Sequence, residues 1–106
     1  MSDIALVYAT FPDEETTKRI AHIVGNEKLA ACANILGVMT SIYEWEGKIE
    51  ESGEIAALFK TSRAAMLPLI SRLSDLHPYE VPALLGWPIS EAPAPFAQWV
   101  QAQTKI

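Results

Sequence analysis

LAACANILGVMTSIYEWEGKIEESGEIAALFKT, residues 29–61, decides the fold. Two runs of strand-forming residues meet at Glu46-Gly47-Lys48, where glycine supplies the positive φ that a tight hairpin needs. The first run, residues 31–45, would span roughly 50 Å at ~3.3 Å per residue. A chain of 106 residues folds to a radius of gyration near ~13 Å, hence a diameter of roughly 34 Å. Such a hairpin must bend or stand out from its own domain. An arm carrying Ile42, Tyr43, Trp45 and Ile49 has little to hold it alone, and pairing with another subunit is the economical solution. An obligate oligomer is therefore expected before any chemistry is considered.

The second run, residues 48–61, alternates. Ile49, Ile55, Ala57 and Phe59 fall on one face, and Glu50, Ser52 and Glu54 on the other. Upstream, IALVYAT (residues 4–10) reads as a buried strand. Asp13 is a suitable N-cap for the helix that follows, with Glu14 and Glu15 at the positive end of its dipole. Ile20, Ile23 and Val24 recur at helical spacing, and Gly25-Asn26 ends the helix.

Downstream, Ser62 caps a second helix with Met66, Leu69, Ile70 and Leu73 as its apolar stripe. Pro68 must kink that helix or shift its start, and His77-Pro78 ends it. Residues 83–89 form a last strand, marked as an edge by Pro88. Residues 93–103 form a terminal helix with Phe96, Trp99 and Val100 on its inner face. The order βαββαβ plus a helix is the ferredoxin-like α+β pattern, expected as one domain over residues 1–106.

Composition narrows the function. Half the chain is apolar, and 13 acidic residues against 8 basic ones give a net charge of −5. That balance argues against nucleic acid as a partner. No apolar run approaches the ~20 residues that cross a bilayer, so no membrane partner is expected. The N-terminal stretch has no basic segment followed by a long apolar core, and it does not read as a signal peptide. With Cys32 as the single cysteine no intrachain disulfide forms, and a cytoplasmic location is expected.

The quoted stretch, together with LHPYEVPALLGWPI (residues 76–89), resembles the CutA divalent-cation tolerance family. The resemblance runs from Tyr8-Ala9-Thr10 to Trp99. It is carried by Leu29-Ala30-Ala31-Cys32, Asn34, Ser41-Ile42-Tyr43, Trp45-Glu46-Gly47-Lys48, Lys60-Thr61, His77-Pro78-Tyr79 and Val81-Pro82. It implies a ferredoxin-like fold, a tightly packed homotrimer, a cytoplasmic setting, and a link to copper and other divalent cations. It also implies a likeness to the trimeric PII-type signalling proteins, which bind small ligands between subunits. The chain departs from the family pattern in three places. Ala83 stands where a glutamate is usual, and Ala9 where some members carry cysteine. Near the tail, Phe96 replaces a tyrosine and a glycine is missing.

The candidate residues have competing readings. Cys32 lies among small apolar residues, where a free thiol is commonly buried. It is also a soft ligand for Cu(I) or Zn(II), and a nucleophile only if a neighbour lowers its pKa. His77 heads a backbone stiffened by two X-Pro units and is either a metal or ligand contact or a hydrogen-bonded structural histidine. His22 lies among polar helix residues and is expected in solvent. Lys60-Thr61 offers a cation and backbone N–H groups to an anion, and with His77 and Tyr79 makes a candidate ligand pocket. Tyr43, Trp45 and Ile49 are the candidate trimer interface. Glu44, Glu46, Glu50, Glu51 and Glu54 make the hairpin acidic and solvated.

There is no Gly-rich phosphate loop and no legible Ser-His-Asp arrangement, so a binding protein rather than an enzyme is expected. Two functions remain. One is a homotrimer that handles divalent ions, with no required cofactor and with Cu(II) bound weakly and reversibly at His77 and Cys32. The other is a PII-like small-ligand or protein-partner module with a pocket between subunits.

Overall fold

A computed structural model of the chain describes residues 2–105; Met1 and Ile106 lie outside the described residues. The elements are β1 (Ile4–Phe11), α1 (Glu14–Asn26), β2 (Cys32–Trp45), β3 (Lys48–Ser62), α2 (Met66–Leu76), β4 (Leu84–Pro88) and α3 (Ala94–Gln103). The strands form one antiparallel sheet in the order β2-β3-β1-β4. This is the ferredoxin-like arrangement expected from the pattern of elements.

Local chemistry sets the helix ends. The Asp13 side chain accepts a hydrogen bond from the Thr16 backbone N–H at 2.7 Å and so satisfies an orphan donor of α1. That bond holds the Asp13 carboxyl below its usual range. At the other end Lys28 adopts φ 65°. The N–H groups of Lys28 and Leu29 return to the carbonyls of Gly25 and Val24, at 3.1 and 3.0 Å. This is a Schellman closure with lysine in the left-handed position that glycine usually fills. Pro68 shifts the start of its helix rather than kinking it. α2 begins at Met66, so Pro68 falls in the first turn, where its missing N–H would have had no partner. Ser62 Oγ accepts from the Ala65 N–H in the turn just before.

Cross-strand partners share a face, so the register sorts the side chains. Val7, Ala9, Phe11, Ala57 and Phe59 point to the side covered by α1 and α2, and pack with Ile20, Val24, Leu69 and Leu73. α3 packs on the opposite side, where Lys60 Nζ lies 5.7 Å from the centre of the Phe96 ring. Of the three residues expected on the inner face of α3, only Val100 is buried. Phe96 and Trp99 stay 38% and 45% exposed and stack on each other at 6.1 Å. A helix seated across one end of a sheet buries a narrow stripe, and these two rings lie beyond it.

The hairpin sets the molecule's long dimension, 45 Å against 25 and 21 Å. Its turn is a two-residue loop between the paired Trp45 and Lys48, with positive φ at Glu46 (50°) as well as Gly47 (81°). Both values belong to the type I′ turn, whose twist matches that of the strands. Between Ile35 and Gly37 the register slips by one residue, and Gly37 takes φ 102°. This bulge leaves Leu36 unpaired and reverses which residues of β2 face the helices.

Candidate functional site

The bulge builds the site. Before it, even-numbered residues of β2 lie on the face away from α1 and α2; after it, odd-numbered ones do. Met39, Ser41, Tyr43 and Trp45 thereby join Tyr8 and Thr10 of β1 and Glu54 of β3 on that face. The segment after α2 passes round the end of β1 and adds Tyr79, Glu80 and Val81. Together with Ala83 these residues line a cleft of about 700 Å³.

His77 anchors that segment. Its Nδ1 accepts from the Tyr79 backbone N–H at 3.1 Å, so Nε2 carries the proton and donates to the Thr10 carbonyl at 2.7 Å. The ring is 8% exposed and stacks on Phe11 at 4.9 Å and against Tyr79 at 4.8 Å. Both nitrogens are engaged, which leaves no lone pair free for a metal. The expectation of His77 as a metal ligand gives way to a histidine that orients the cleft wall.

Tyr79 delivers its hydroxyl into the cleft and donates to Glu54 Oε2 at 3.1 Å. Burial, followed by the hydrogen bond and charge of Glu54, raises the phenol to about 12. It therefore remains a donor at neutral pH. Glu54 itself is buried, 9% exposed, although strand alternation assigned it to a solvated face. Nearby, the hydroxyls of Tyr43 and Ser52 share a hydrogen bond at 3.2 Å across the hairpin.

The other candidates do not converge on this cleft. Lys60 pairs with Cys32 on one side and Leu6 on the other. Thr10, where His77 is bound, lies four residues along β1 from Leu6, about 13 Å at ~3.3 Å per residue. Lys60 is therefore not in one pocket with His77 and Tyr79 within a chain; it sits over Phe96, while Thr61 donates to the Leu29 carbonyl at 2.7 Å. Cys32 is half-buried and as far from His77, so the two do not form a joint metal site. His22 is exposed on α1 as expected. Among the described residues, no three His, Cys, Asp or Glu side chains converge as a metal-binding group. The described donors of a single chain thus do not fit a pre-built copper centre.

The hairpin beyond the helices is uncovered. Tyr43 and Trp45 are 42% and 50% exposed on the cleft face, and Val38, Ile42 and Ile49 are 66–81% exposed on the other. Ile49 pairs with Glu44, and so lies on the opposite side from Trp45. The three residues expected at an interface therefore present apolar surface in two directions.

Residues 5–103 match the family described as CutA1 divalent ion tolerance protein. The chain is similar to the divalent-cation tolerance protein CutA of Thermus thermophilus, 38% identical over 104 residues, with 98% of this chain and 99% of that one covered. It is also similar to human Protein CutA, 37% identical over 102 residues. That match takes in 96% of this chain but spans only 57% of the human protein's length. Among solved structures, CutA1 from Ehrlichia chaffeensis superposes with a TM-score of 0.93 at 36% identity, covering 100% of this chain and 99% of that one. The hairpin, sheet order and cleft described above are therefore those of a chain that belongs to the CutA1 divalent ion tolerance protein family.

Proposed function

We propose that this protein serves divalent-cation tolerance as a homotrimeric, non-enzymatic binding protein of the cytoplasm. The observation that carries the reading is the uncovered apolar arm. An exposed hairpin with Val38, Ile42 and Ile49 on one face and Tyr43 and Trp45 on the other is unstable in water unless a second copy covers it. Copper and other divalent ions are held weakly and exchangeably, with carboxylates of more than one subunit supplying oxygen ligands. Sedimentation velocity on the purified protein tests the assembly, with a trimer expected across the micromolar range; a stable folded monomer there overturns it. Calorimetric titration with CuCl₂ tests the metal. Reversible binding with a defined stoichiometry per trimer, and a fold that survives chelation, are expected. Unfolding by chelator overturns the exchangeable-ion reading. Fractionation of the source cells tests the compartment.

The cleft favours a second reading, a small-ligand module of PII-like form. Its volume of about 700 Å³ falls in the range of ligand pockets, ≈ 300–1,000 Å³. Only diffuse millimolar copper binding, together with saturable binding of an organic ligand, would favour this reading over metal handling.

A further inference from the structure

The segment that joins α2 to β4, residues 78–82, is held by little. Pro78, Tyr79, Glu80 and Val81 are all exposed. Among the described residues, two hydrogen bonds tie this segment to the rest of the chain, and Tyr79 makes both. Its hydroxyl donates to Glu54 of β3, and its backbone N–H donates to His77 Nδ1. A segment with so few buried contacts and hydrogen bonds opens at small cost. His77 is held far more firmly. Its backbone N–H donates to the Leu73 carbonyl at 2.9 Å, its ring stacks on Phe11, and its Nε2 donates to the Thr10 carbonyl.

Nδ1 accepts the Tyr79 N–H only while it carries no proton. Once protonated, it sets two donors face to face across 3.1 Å, and one of them must move away. The ring is buried and bonded at its other nitrogen, so the exposed segment gives way. The titratable groups around the contact are acidic or phenolic. Glu54 from β3, Asp13 from the turn before α1 and the Tyr43 phenol of β2 act through their charge on the Tyr79 hydroxyl. Asp75 in the last turn of α2 and Glu80 flank His77 in sequence. A proton arriving on the ring thus enters among carboxylates. We infer that His77 and Tyr79 form a pH-sensitive latch, in which protonation of Nδ1 releases residues 78–82 and with them the Tyr79 wall of the cleft. Histidine is the side chain that changes charge between about pH 5 and 8, so the latch is closed in neutral solution and opens on acidification. It does not depend on what occupies the cleft.

The test uses the assembled protein and two NMR readouts taken together from about pH 8 to about pH 5. Ring nitrogen shifts follow the protonation of His77, and amide hydrogen exchange, corrected for its intrinsic pH dependence, gives the protection of the Tyr79 N–H. As the ring takes up its proton, Tyr79 protection should fall by about tenfold, the worth of one hydrogen bond. The core amides of Val7 and Phe59 should keep theirs. His77→Asn supplies a side-chain oxygen that accepts from the same N–H and cannot be protonated; its Tyr79 protection should stay flat over the range. Should that variant fold poorly, the paired readouts on the parent still decide the question. A His77 ring that protonates while Tyr79 protection is unchanged overturns the latch. So does a ring that stays neutral until the core amides open, or a folded His77→Asn variant that loses Tyr79 protection as the parent does.

Discussion

Trp45→Ala should weaken the assembly far more than it weakens the subunit. Trp45 is 50% exposed in the isolated chain, near the tip of the hairpin. A tryptophan side chain can bury up to about 250 Å², so about 125 Å² awaits a partner. Covering that area at ~25 cal/mol per Å² is worth about 3 kcal/mol per subunit. Three copies in a trimer give about 9 kcal/mol, or roughly 10⁶-fold in the assembly constant at ~1.4 kcal/mol per decade. Sedimentation velocity from nanomolar to micromolar concentration reads this directly. The parent should stay assembled throughout, and the variant should dissociate within the range. Leu67→Ala is the control. Leu67 is more exposed, at 70%, but sits on the outer face of α2 with Ser71 and Ser74. Such a change is usually worth less than about 0.5 kcal/mol. If Trp45→Ala sediments as the parent at every concentration, the hairpin tip is not at an interface and its apolar surface needs no cover.

Lys28→Gly should stabilise the fold by about 0.5–1 kcal/mol, because glycine removes the left-handed penalty at φ 65° and offsets part of that gain through a freer unfolded chain. A higher urea midpoint with an unchanged slope is expected, and a lower midpoint would contradict the Schellman assignment. Tyr79 titrates at about 12 in the folded protein against 10.0 for an unperturbed tyrosine, so folding favours its protonated form. That contribution is whole below pH 10 and drains away as pH rises from 10 to 12; Tyr79→Phe should flatten this part of the stability profile. His77→Ala leaves the buried Thr10 carbonyl without its donor and should cost about 1–3 kcal/mol in a thermal melt. Copper affinity should survive the same change, since both ring nitrogens are committed within the chain; a sharp loss would restore His77 as a ligand.

The elements of this fold were legible because each announces itself locally. Asp13 caps the helix it precedes, Glu46-Gly47 turns the hairpin, and the alternation of Ile55, Ala57 and Phe59 matches the buried face of β3. Glu54 is the exception, and for the same reason. Alternation predicts which side of a sheet a residue takes, but not whether something covers that side. A helical period turns Phe96 and Trp99 inward but says nothing of how wide a stripe the sheet can bury.

The amino-acid sequence by itself determined the secondary structure and the hairpin, since capping and turn geometry depend on neighbours along the chain. Only the tertiary structure decided the cleft. A one-residue bulge at Leu36 reverses the facing of β2 and so brings Tyr43 and Trp45 to the side of Tyr8 and Glu54. The loop after α2 then swings Tyr79 onto Glu54 and occupies both nitrogens of His77. Those meetings join residues up to 67 positions apart. The register and loop path that create them are set by packing across the whole sheet, which no local pattern encodes.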